Sequence, residues 1–330
     1  IAIADRGLAI TEKTRGPRHP LAARHHDLRA RALGALGRTS EALVSAERAI
    51  MLYQARLGPH STATLLGMDN LVATLLAHGM ETGEDTSSRI RGLLRQMMID
   101  LDVRGHGNSP AMGSVLIKMG HLALATGDPA EAVDEFERGL VMLELPPGRD
   151  ISQRLSAWSG LAEAYAQTGR IDESIALLER AFEQSQTERP HHTDTARLAL
   201  QLTMRLRQAK RHDDVLVTGQ RALALITKSY GPEHSLVART LVQLGRSDMA
   251  VGHPALAAAR FERALALAVE HEMRIPSQPG LRYLVAKAYH EARDTPRAQL
   301  EARAALEIWP TDDDASYGTR AELVAWAGRP

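Results

Sequence analysis

One phrase returns along the chain at a nearly constant interval. It reads "GRTSEALVSAERAI" (37–50), "GDPAEAVDEFERGL" (127–140), "GRIDESIALLERAF" (169–182), "KRHDDVLVTGQRAL" (210–223), "GHPALAAARFERAL" (252–265) and "RDTPRAQLEARAAL" (293–306). The first residues are separated by 90, 42, 41, 42 and 41 positions. The 90 is a double step, and a turn placed at His78-Gly79 splits it into 42 and 48. A half copy, "ADRGLAI" (4–10), precedes the first. A period of this length restricts the chain to stacked repeats, in which each unit needs its neighbours to complete a core.

Within each copy, apolar residues recur every three or four positions on both sides of a Gly, Lys or Arg, as in Trp158, Leu161, Tyr165 and then Leu177, Leu178, Ala181. This spacing predicts two helices joined by a short turn. Asp128 is placed to cap the second helix of its copy, and Pro129 at the first helical position sacrifices no hydrogen bond. Thr295-Pro296 repeats the device. Small residues at Ala42, Ala132, Ser174, Ala257 and Ala298 let the paired helices approach closely. With only 3 Trp, 6 Tyr and 3 Phe, the chain lacks the aromatic and β-branched strands of a propeller. Period alone leaves HEAT and armadillo arrays open.

A second phrase marks the corners between copies: Gly16-Pro17-Arg18-His19-Pro20, Gly58-Pro59-His60-Ser61 and Gly231-Pro232-Glu233-His234-Ser235. Gly231 is expected to end a helix in the left-handed conformation, Pro232 to block its continuation and Ser235 to cap the next helix. His234 is expected to serve the corner by hydrogen bonding.

Lys+Arg and Asp+Glu are both 40, so no basic arm for nucleic acid or membrane is indicated. The absence of cysteine excludes disulfides and thiolate catalysis. No uncharged stretch approaches the roughly 18–20 residues of a membrane span, and a cytoplasmic location is expected. The first residue is Ile rather than Met, and the chain reads as a piece of a larger protein. No catalytic, cofactor or metal constellation emerges, and catalysis is not expected within this chain. His25-His26 and His191-His192 are neighbours pointing about 100° apart in a helix. Asp312-Asp313-Asp314 precedes an amphipathic segment whose first turn welcomes negative charge. Gly105-His106-Gly107 lacks the remaining residues of a phosphate loop and is read as a plain loop.

Trp158-x2-Leu161-Ala162-x2-Tyr165-x3-Gly169-x4-Ser174-x3-Leu178-x2-Ala181 resembles the tetratricopeptide signature. Leu244-Gly245, Gly252, Ala257, Phe261 and Ala264 supply the frame again, as do Tyr289, Ala298, Ala305 and Pro310. The 42-residue period with Gly-Pro-x-His in the additional residues is similar to the kinesin-light-chain type, which also occurs in large bacterial signalling proteins. The resemblance implies an all-α, right-handed superhelical solenoid of antiparallel helix pairs over 1–330. It comprises a half repeat (about 1–15), repeats at about 20–57, 60–104, 110–146, 151–188, 193–230, 235–273 and 277–310, and a capping helix at about 315–327.

The same resemblance implies a protein- or peptide-binding scaffold whose groove is lined by the first helix of each pair. Carried over position by position, that groove contains Asn70, Lys118, His121, Arg197, Gln201, Arg207, Arg239, Gln243, Arg246 and Lys287. The amides would hold the backbone of an extended peptide. From 197 to 291 the groove positions carry five basic residues against Glu291, which suits an acidic or phosphorylated segment. The alternatives are a peptide-sensing receptor that switches an attached output domain, and a self-assembly module. Kinase motifs upstream of this chain would favour the scaffold, and a helix-turn-helix domain there the receptor.

Overall fold

The computed structural model describes residues 1–145, 151–189, 192–272, 277–309 and 318–328, which form sixteen α-helices and no strand. Contacts group the chain into two compact units, Ile1–Ala164 and Tyr165–Pro330. The first contains α1 (Ala2–Arg15), α2 (Pro20–Gly34), α3 (Thr39–Leu57), α4 (Thr62–Thr82), α5 (Ser87–Val103), α6 (Pro110–Ala125), α7 (Pro129–Leu143) and most of α8 (Ile151–Gln167). The second contains α9 (Ile171–Glu188), α10 (Thr193–Gln208), α11 (His212–Tyr230), α12 (Ser235–Ala250), α13 (Pro254–Glu270), α14 (Gln278–Glu291), α15 (Thr295–Glu307) and α16 (Arg320–Ala327). Neighbouring helices pack as pairs, most extensively α2 with α3, α6 with α7, α12 with α13 and α10 with α11.

The turn inside each pair follows one rule. The chain makes a left-handed residue at Gly37, Gly127, Gly169, Lys210, Gly252 and Arg293. The next N–H then returns to the carbonyl five residues back, as in Asp128 to Ala123 (2.8 Å), Arg211 to Leu206 (2.9 Å) and Asp294 to Tyr289 (2.9 Å). That bond satisfies a carbonyl the helix end would otherwise leave open. Asp128 accepts from the Glu131 N–H at 3.0 Å, capping α7 with Pro129 behind it. In the last pair the cap is Asp294, one residue before Thr295-Pro296.

The irregular copy departs from the expected turn at His78-Gly79. α4 runs on to Thr82, and its left-handed terminator is Gly83 (φ 75°, ψ 9°). Part of the six-residue excess is therefore spent lengthening α4, because "HGMET" has no strong helix breaker before Gly83. Only residues 83–86 connect it to α5, tied by the Thr86 hydroxyl to the Leu75 carbonyl (3.2 Å).

The corners also differ from expectation in detail. Gly16, Gly58 and Gly231 have φ of 87–94° but ψ of 158–161°, which is outside the left-handed helical region and accessible essentially to glycine alone. The residue three places on caps the next helix. It is His19 for α2 and His234 for α12, whose Nδ1 accepts from Leu21 and Leu236 N–H at 3.2 Å, and Ser61 for α4. Ser235 is thus the first residue of α12 and not its cap. His192 caps α10 in the same way. The final helix starts at Arg320 under a Thr319–Glu322 capping box, and Asp312–Asp314 lie outside the described residues.

Ala and Leu fill the interiors, as close helix packing requires. Ala42, Ala132, Ser174 and Ala257 are fully buried and Ala298 nearly so. In the first unit Leu75, Ile90, Leu94 and Leu116 lie in one core cluster, and Trp158 is 8% exposed. Gly113 and Gly139 bring α6 and α7 so close that a Cβ on either would press on the other's carbonyl. In the second unit Phe261, Tyr283, Val215 and Ile226 are buried to 2% or less.

Candidate functional site

The first helices of successive pairs present their polar positions at intervals set by the repeat. In the first unit these helices are α2, α4, α6 and most of α8. The Asn70 side chain donates to Asp27 Oδ1 at 2.8 Å, joining α4 to α2. Lys118 pairs with Asp69, joining α6 to α4. His121 Nε2 lies 3.0 Å from the Ser156 hydroxyl, with its ring edge-on to Phe136 at 4.9 Å. Each expected groove residue here has a partner within the unit.

In the second unit the helices are α10, α12 and α14. Arg207 Nε donates to the Gln243 amide oxygen at 2.5 Å, linking α10 to α12. Gln243 therefore offers a ligand its NH2 group rather than both ends of its amide. Burial holds the half-buried Arg207 guanidinium below its ordinary pKa, and the nearby charges of Arg246 and Arg205 push it the same way. It stays charged at neutral pH. No carboxylate pairs with Arg207 among the described residues. The acid on α12, Asp248, sits instead 2.9 Å from Arg260 on α13, without hydrogen-bond alignment. Burial raises the pKa of Asp248, against the pull of Arg260.

Arg246 and Lys287 line one cavity of about 440 Å³ with Met249, Phe261, Leu284 and Glu291. Arg239 and Gln201 are half-buried on α12 and α10. Arg197 is exposed and leans toward Asp194 of its own helix at 3.4 Å. The structure thus brings together Arg207 with Gln243, and Arg246 with Lys287. Arg205 joins the charged cluster although the repeat pattern had not singled it out. Its spacing of two from Arg207 does not suggest a shared face.

Among the described residues no group of three metal-capable side chains occurs, and no helix is long and apolar enough to cross a membrane. His25 lies against Gly7, whereas His26 turns its Nδ1 into the interior without a partner. His191 lies outside the described residues. Gly105 ends α5 in the left-handed region, with His106 N–H returning to Leu101 at 2.8 Å.

A tetratricopeptide-repeat model matches residues 117–188 and 242–313, and a second tetratricopeptide-repeat model matches 153–224, together more than half of the chain. Among curated proteins none matches the sequence. Many solved structures match the fold, three of them as follows. BtubC (BKLC) from P. vanneervenii is 18% identical with a TM-score of 0.56, over 80% of this chain and 94% of its own. A putative kinesin light chain with nearly identical TPR-like repeats from Podosopora anserina is 20% identical with a TM-score of 0.52, over 62% and 99%. RapI in its apo form is 11% identical with a TM-score of 0.69, over 91% and 79%.

Proposed function

The chain belongs to the tetratricopeptide-repeat family, with repeats of the kinesin-light-chain type, and from that premise we propose that its second unit captures an acidic segment of a partner protein. Tetratricopeptide arrays are protein-interaction scaffolds. The observation that carries the finer reading is Arg207: a half-buried cation bonded to a neutral amide, with Arg246 and Arg205 as its charged neighbours. A carboxylate or phosphate of a peptide would supply the missing countercharge. The Gln243 NH2 would meet a backbone carbonyl beside it. Regulation within a larger bacterial signalling protein is the context this reading favours.

The test is fluorescence anisotropy of a labelled Glu-rich peptide and its phosphoserine counterpart with the full chain. Replacing Arg207 and Arg246 together by Gln is expected to weaken binding by roughly 30-fold or more, as two charge-assisted hydrogen bonds are lost. Raised salt should weaken the wild type. The matched control is Arg180→Gln with Arg263→Gln, on exposed positions of second helices. Equal loss in both double variants, or a preference for basic or apolar peptides, would overturn the reading.

A further inference from the structure

One cavity lies within the first unit. It has a volume of about 580 Å³ between α4 and α6, with α5 beneath. Its walls are apolar: Leu65, Leu66, Met97, Leu101, Pro110 and Val115. This size and lining match open clefts that hold small molecules.

The polar groups around it are arranged unusually for a peptide site. Asp69 pairs with Lys118, and Ser114 donates to Gln153. Both pairs are closed between neighbouring helices. A peptide brings an N–H and a C=O with every residue, so its backbone would have to break these bonds or bury polar groups without partners. A ligand with an apolar body would leave them intact.

At the other end stands Arg104. It is half-buried and donates to the Thr62 hydroxyl at 2.9 Å, and among the described residues no carboxylate pairs with it. His106 and Ser109 complete that end. With Asp69 and Lys118 cancelling, the lining keeps one uncompensated cation at one end of an apolar chamber.

We propose that this cavity binds a small amphipathic carboxylate, with its alkyl or aryl body against Leu65, Met97, Leu101 and Val115 and its acid group on Arg104. The site does not depend on the peptide groove of the second unit, and occupancy would add a bridge between α4 and α6.

The experiment is isothermal titration calorimetry of the full chain with decanoate, decanol and decyltrimethylammonium. Decanoate should bind most tightly, decanol about tenfold or more weakly, and the cation more weakly still. Arg104→Gln should bring decanoate down to the alcohol, and Ala111→Phe should abolish both by filling the chamber. If Ala111→Phe does not fold, Leu66→Trp, at a position 65% exposed, makes the same test. The proposal fails if decanoate gives no saturable heat, if it binds no better than the ammonium, or if Arg104→Gln and the filling variant leave binding unchanged. It also fails if an apolar peptide with blocked ends competes for the cavity and decanoate does not.

Discussion

The two units treat the polar groups of their first helices in different electrostatic ways. In 1–164 the polar groups of the first helices are matched across neighbouring repeats: Asn70 with Asp27, Lys118 with Asp69. In 165–330 Arg207 meets an amide, and the acid of α12, Asp248, lies beside Arg260 of α13. One residue in the neighbouring helix decides whether a groove cation is already neutralised. Counting charges along the chain, balanced at 40 against 40, conceals this.

The largest test of the comparison concerns packing. Trp158→Ala removes a buried indole of the first unit and is expected to cost roughly 3–5 kcal/mol. Because repeat stability is local, hydrogen exchange should rise in residues 110–164 more than in 235–309. A uniform rise, or unchanged melting, would show that the unit boundary has no energetic meaning.

Next in size is an exchange of the two electrostatic designs. Gln243→Glu places a carboxylate beside Arg207 and should suppress acidic-peptide binding while raising stability by about 1–2 kcal/mol. Asp69→Asn releases Lys118 and should create weak acidic-peptide binding in a chain that already carries Arg207→Gln and Arg246→Gln. Anisotropy and thermal melts read both. If neither exchange alters peptide preference, pairing across repeats does not control it.

A smaller effect comes from the turns. The pair turns of the first unit are made at Gly37, Gly83 and Gly127, whereas in the second unit Lys210 (φ 59°) and Arg293 (φ 61°) also hold the left-handed conformation. Lys210→Gly and Arg293→Gly should each stabilise by about 0.5–1 kcal/mol, the strain of a side chain there exceeding the entropy gained by the unfolded glycine. Urea midpoints measure it. A lower midpoint would mean that the long side chains contribute packing that outweighs the strain.

The least effect is a pH response of the first unit. Burial, then Arg48, lowers the pKa of His26 below its ordinary 6.5, so the folded chain favours neutral imidazole. The unfolded chain takes up the proton first as pH falls. The stability from burying neutral His26 is fully present above about 6.5 and is lost as pH drops through the lower folded value. His26→Leu should therefore melt progressively higher than the wild type between pH 7 and 5. A constant difference would remove His26 from the pH dependence.

Much of the fold was legible from local signals. The left-handed turn residues at Gly127, Gly169 and Gly252, and the small residues at Ala42 and Ala132, follow from helix period, turn chemistry and close packing. The irregular copy was less legible because two glycines, Gly79 and Gly83, competed to end α4. A helix tolerates one glycine at about 1 kcal/mol when packing supports the added turn. His234 hydrogen-bonds at its corner as expected, but it takes the cap that a preference for serine assigns to Ser235, because an imidazole nitrogen accepts the same N–H when the corner orients it.

For the candidate site the sequence supplied the residue types and their repeat positions, since a 42-residue period returns equivalent side chains to equivalent places. It did not supply their partners. Asn70 looked available for a peptide and is bonded to Asp27, 43 positions away. Arg104 was not singled out, because its isolation depends on which acids fail to reach it. The sequence by itself determined helix pairs, turns and the apolar faces that stack them, because those depend on contacts a few residues apart. Only the tertiary structure decided which charges are answered and where a chamber opens, because both depend on distances between side chains of different repeats.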